Sequence, residues 1–214
     1  MITQPIDLRL DELQDGARIS GTLARWYAEN GCAAIALSRC HRRCLQAIYS
    51  GWSVNVGTEG WPASTDTSGF RVVLAQQWQA GHVMGWTSPG QLLTAFATTE
   101  DRAYLRSLCQ LKVAHAKYLV YGRLMHPPML RLVGGAEVPS AAWCGHSFGP
   151  ACCDFPALTA ALWRGADGSM ALTAVNTDAN ATLTFTATMR EIADVTHTLP
   201  PRSAAVLIVR PAAV

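Results

Sequence analysis

Half of the 214 residues are apolar, enough to bury a sizeable core in one large or two small domains. A net charge of +2 with 15% charged residues argues against a nucleic-acid partner, which needs clustered Lys and Arg; the one dense basic run, Arg39, His41, Arg42 and Arg43, reads as a solvated helix face. No run reaches the ~18 to 20 apolar residues of a membrane-spanning helix, and the opening ITQPIDLRLDELQDG lacks the apolar stretch of an export signal.

In chain order, ARISGTLARWYAENG places Ile19, Leu23, Trp26 and Tyr27 at helical spacing before Asn30 and Gly31 end the run. Ala33 to Tyr49 repeats that period through Ile35, Leu37, Cys44, Leu45 and Ile48. GWSVNVG then alternates, with Trp52, Val54 and Val56 against Ser53, Asn55 and Gly57, which predicts a short strand entering a glycine-rich loop. Glu59 sits in that loop beside Trp61. Aromatic faces next to a carboxylate suit a carbohydrate site, because sugar C–H faces stack on rings while an acid serves the glycosidic oxygen. The competing reading is a solvated loop carboxylate.

From Phe70, FRVVLAQQWQ predicts a helix with Val73, Leu74, Gln77 and Trp78 inward, ending near Gly81. GWTSPG follows as a turn that presents Trp86, either to a sugar or to the core. A long helix comes next, capped by Thr98 or Thr99, with Glu100 and Asp101 at its positive end. Its stripe is Tyr104, Leu108, Leu111, His115, Tyr118 and Leu119, running to Gly122, with His115 read as a core histidine.

Pro127 and Pro128 are expected to end the helical half, so the reading divides the chain into residues 1–128 and 129–214. Downstream the period is two. Leu158 to Arg164, Met170 to Ala174, Thr182 to Thr186 and Ala204 to Val209 predict antiparallel strands joined by Asp167-Gly168 and NTDAN turns, a small β-sandwich.

Seven cysteines without regular spacing do not form a disulfide framework. Cys40, His41 and Cys44, and later Cys144, His146, Cys152 and Cys153, are the two clusters that could hold zinc, but neither has the two-residue spacing of common zinc modules. Cys32, Cys109 and the others read as small buried apolar residues, and no metal or cofactor is expected. Gly145-His146-Ser147-Phe148-Gly149 has the outline of a nucleophile elbow without its strand-turn-helix context. Asn180-Ala181-Thr182 is a formal glycosylation sequon.

The succession YSGWSVNVG, LAQQWQAGHVMGW, AKYLVYGRLMHPPML, ALWRGADGSMALTAVNTDANATLTFTATM and LPPRSAAVLIV resembles the C-terminal part of bacterial glycoside-hydrolase-like proteins, which couple a TIM-type barrel to a β-sandwich. The resemblance runs from about Tyr49 onward. It implies an α+β chain: the C-terminal portion of a (β/α) barrel, mostly helical, followed by a small antiparallel β-sandwich. A whole barrel takes ~250 residues, so the N-terminal barrel portion is expected to be missing. Barrel enzymes place working groups at the C-terminal ends of strands, where Glu59 falls. Glycosidic hydrolysis needs a second carboxyl ~5 to 9.5 Å away, and no spacing singles one out among Glu29, Asp66 and Glu100. Two functions therefore stand: a carbohydrate-acting hydrolase region with Glu59, Trp61 and Trp86 at the sugar, or a non-catalytic sandwich that supports a neighbour or binds carbohydrate passively.

Overall fold

The structure, a computed structural model, describes residues 68–84, 98–144, 152–190 and 192–210. These form a mixed α+β arrangement with helices α1 (Ser68–Gln79), α2 (Thr99–Ala114) and α3 (Ala116–Leu119). The strands are β1 (Arg123–Leu124), β2 (Met129–Leu132), β3 (Ser140–Cys144), β4 (Cys152–Pro156), β5 (Leu158–Arg164), β6 (Met170–Asn176), β7 (Leu183–Met189), β8 (Ile192–Leu199) and β9 (Ser203–Val209). The strand expected at Trp52 to Val56, and with it any barrel wall, lies outside the described residues.

All described pairings are antiparallel, in sheets of order β1-β5-β6-β9, β2-β7-β8 and β3-β4. From β6 the chain crosses to the second sheet for β7 and β8, then returns to lay β9 beside β6. Two apolar clusters explain the layering. Leu158, Ala160, Leu162, Leu172 and Ala174 on the four-stranded sheet meet Leu183, Phe185, Ala187 and Leu199 of the three-stranded sheet. On the other face of the same sheet, Ala161, Trp163, Ala171 and Val175 meet Phe70, Leu74, Trp78, Tyr104 and Leu108 of the helices. Side chains alternate sides along a strand, so Leu162 and Trp163 belong to different cores.

A sheet covered on both faces loses its polar alternation, which is why β6 reads MALTAVN and is buried from Ala171 to Asn176. The outer face of β7 and β8 keeps it: Thr184 pairs with Thr198 at 2.9 Å and Thr186 with Thr196 at 3.0 Å, cross-strand hydroxyl contacts on a polar surface. The helices and the sandwich thus share one core across Pro127-Pro128, and β1, on the N-terminal side of those prolines, is an edge strand of the sandwich.

Three local features differ from expectation. The long helix breaks at His115 (φ −117, ψ 31), half-buried rather than core, after which Tyr118 and Leu119 are both buried. The helical half ends at Leu119, before the prolines, where Gly122 N–H donates to Tyr118 O at 3.0 Å. Cys109 is exposed and unpaired, not a buried apolar residue, because it sits on the solvent side of α2 next to the buried Leu108.

Gly122 has a steric reason. A Cβ there would lie 2.4 Å from Tyr118 O and 3.0 Å from Arg164 O, both backbone atoms. Gly122→Ala must push α3 from β5, and a loss of about 1–3 kcal/mol is expected from overpacking; urea unfolding checks it, and an unchanged midpoint would contradict the close approach.

Gly81 (φ 71) ends α1 in a Schellman turn, with His82 N–H on Gln77 O at 2.9 Å and Gly81 N–H on Trp78 O at 3.0 Å. Lys112 of α2 then donates its ammonium to the carbonyls of Gly81 and His82. Burial pulls Lys112 down to about 8.

Candidate functional site: a buried polar network and an arginine-lined groove

Glu59, Trp61 and Trp86 lie outside the described residues, as do Glu29, Asp66, the Cys40, His41 and Cys44 cluster and the Gly145 to Gly149 segment. The side chains of Cys144, Cys152 and Cys153 lie outside them too. Of the acids weighed as partners for Glu59, only Glu100 is described, and it has a local role. It is exposed in the first turn of α2, and backbone N–H and Thr98 hydrogen bonds hold its carboxyl below the usual range.

Thr98 caps α2 by accepting from Asp101 N–H at 3.1 Å, while its hydroxyl donates to Asp101 Oδ2 at 2.9 Å. The other Asp101 oxygen receives Arg71 Nη1 at 3.1 Å, an ion pair with side chains 7% and 0% exposed. Arg71 Nε donates to Thr177 O at 3.0 Å, and Tyr104 hydroxyl donates to Arg71 O at 3.4 Å. Burial pushes the Tyr104 phenol well above its usual range. One guanidinium therefore joins α1, α2 and the end of β6.

Asn176 extends this junction. Its amide nitrogen donates to Ala181 O, Leu199 O and Pro200 O at 2.8, 3.2 and 2.9 Å, and its oxygen accepts from Asp178 N–H at 3.0 Å. Asp178 in turn accepts from the N–H groups of Asn180 and Ala181, and its carbonyl accepts from Arg202 N–H. Arg202 (φ 49) occupies the left-handed region, which costs a non-glycine residue about 1 kcal/mol or more. The NTDAN and LPPRS stretches are thus two turns locked together below the sheet, with Arg202 Nη1 reaching to 4.0 Å from Glu100.

The second feature is an open groove of about 320 Å³ at the β1–β5 edge, lined by Tyr121, Arg123, Met125, Arg164 and the Gly165 to Gly168 turn. Arg123 and Arg164 are cross-strand partners, so their side chains leave the same face. The turn is fixed by Gly168 (φ 82), by Gly168 N–H on Gly165 O and by Asp167, which accepts from Ser169 N–H and pairs with Lys117. Lys117 and then Ser169 hold the Asp167 carboxyl far below the usual carboxylate range. The side chains of Arg123 and Arg164 have no hydrogen-bond or ion-pair partner among the described residues. Tyr121 is 78% exposed.

Neither feature was read from the sequence. Arg71 and Asp101 stand 30 residues apart, and no periodicity brings them together. The groove had one usable signal: the Asp167-Gly168 turn fixes where Arg164 ends its strand, but the pairing of β1 with β5 is long-range. Trp78, expected inward, is 0% exposed, and Trp163 is 1% exposed. Comparison with protein-family models, with curated proteins and with solved structures gives no match.

Proposed function

We propose that the chain is the C-terminal region of a glycoside-hydrolase-like protein acting on carbohydrate, with Glu59, Trp61 and Trp86 at the sugar and the sandwich as a fixed support for the segment that carries them. The observation that carries the reading is the shared core, in which α1 and α2 are seated on the sheet through Trp78, Tyr104 and Trp163 and pinned by Arg71–Asp101. α1 lies in the sequence between Glu59 and Trp61 on one side and Trp86 on the other, which suits a seated α1 as their support. A covered sheet face suits a support, since a free-standing sandwich would solvate it. The resemblance of the LAQQWQAGHVMGW and AKYLVYGRLMHPPML stretches to barrel-plus-sandwich glycosidases supports the same reading.

Three of the described acids give the support role a further basis. Asp101, Asp167 and Asp178 each serve an ion pair or a turn, so their carboxylates are committed to structure. The test is turnover of a panel of aryl-glycosides by the chain and by Glu59→Gln. A rate lost on that substitution by ~100-fold or more supports Glu59 as an acid or base; equal rates in both proteins remove it from the mechanism. The second reading, passive carbohydrate binding, draws on the groove at Tyr121, which owes nothing to Glu59.

A further inference from the structure

We infer that the groove between Tyr121, Arg123, Arg164 and the Gly165 to Gly168 turn binds an acidic saccharide through its carboxylate, a uronic acid residue of a polysaccharide. The inference rests on the carbohydrate reading for the sugar and on the groove's own chemistry for the charge.

Like charges directly opposite on paired strands repel, so Arg123 facing Arg164 costs stability unless an anion joins them. Elsewhere in the fold, cations that meet a carboxylate find it close by: Arg71 has Asp101, Lys117 has Asp167 and Arg202 approaches Glu100. The one acid of the neighbouring turn, Asp167, is already held by Lys117 and Ser169. Two guanidinium groups leaving one face can bracket a carboxylate with paired N–H donors, a geometry that lysine could not reproduce.

The remaining walls fit a sugar rather than a bare ion. Tyr121 projects an exposed ring beside the arginines, a surface on which pyranose C–H groups stack. Gly165 and Gly168 keep the turn low, and the volume of about 320 Å³ matches the small end of small-molecule sites. The groove is open at the sheet edge, so a longer chain can pass through it. Exposed ion pairs are screened, so the affinity is expected to be modest and to fall with salt.

Calorimetric titration of the full chain with an oligogalacturonate, with a neutral oligosaccharide of equal length and with sodium sulfate tests this. Saturable binding of the oligogalacturonate is expected, with none of the neutral sugar. A loss of about tenfold is expected in Arg123→Gln and in Arg164→Gln, a several-fold loss in Tyr121→Leu, and weaker binding at 200 mM than at 50 mM salt. All three residues are exposed, and an unchanged melting temperature shows that the variants are folded. Undiminished affinity in the double arginine variant, or no saturable binding of the oligogalacturonate, overturns the inference. Sulfate binding as tight as the oligogalacturonate, or indifference to Tyr121→Leu, overturns the saccharide and leaves a plain anion site. Glu59→Gln should bind as the parent does, so failure of the hydrolase reading and failure of this one are separately visible.

Discussion

Asp101→Ala is expected to destabilise the protein by about 3–5 kcal/mol, the loss typical when one partner of a buried ion pair is removed. Arg71 would stay in place with its charge uncompensated, because α1 is buried on almost every side and gives it no route to water. The same substitution removes the acceptor of the Thr98 hydroxyl and unlinks α2 from the end of β6. Glu100→Ala, one residue away and exposed, is the control, with an expected loss of under about 1 kcal/mol because it removes a helix-end charge and a solvent-exposed contact to Arg202. Urea unfolding followed by circular dichroism reads both. An Asp101→Ala loss no larger than the Glu100→Ala loss would show that the pair does not hold the helices to the sheet.

Trp163→Ala is expected to cost a similar amount, about 3–5 kcal/mol, because it opens a cavity between the sheet and the helices. Trp163 lies opposite Leu124 on β1 and packs with Trp78, Tyr104 and Leu108, so all three helices and the sheet edge lose contact together. For a chain of this length the melting temperature should fall by on the order of 10 °C. Trp163→Phe should cost clearly less. Its ring fills part of the space, and the indole N–H it removes has no acceptor among the described residues. Differential scanning calorimetry ranks the three proteins, and a Phe variant as damaged as the Ala variant would show that the indole N–H does have a partner.

The sequence was most legible where one residue's neighbours decide its conformation. Asp167-Gly168 and NTDAN marked real turns because Gly168 supplies a positive φ and Asp178 binds its own backbone. Thr98 was visible as a cap for the same reason. Alternation located β7, since only one of its faces is buried, whereas β6 is buried on both faces and the alternation of Met170, Leu172 and Ala174 marked only one of them. The α1 stripe was harder. Val73, expected inward, is only half-buried, while Arg71 and Gln79, not among the residues expected inward, are buried. Burial of an arginine follows from a carboxylate that arrives from elsewhere in the chain, and no local pattern encodes it. Pro127-Pro128 was read as a boundary because prolines end helices, yet Gly122 sits where α3 meets β5 and the chain has already joined the sandwich at Arg123.

The helices and the sandwich share one core and are expected to form one cooperative unit, the rigid support that the proposed function requires. Native-state hydrogen exchange on the parent and on Asp101→Ala tests it most directly. Amides of α2 around Tyr104 and Leu108 and amides of β6 from Leu172 to Val175 should open with the same free energy, and both should lose protection together in the variant. Full protection of β6 in Asp101→Ala, alongside rapid exchange in α2, would contradict it by showing a sandwich that stands without its helices.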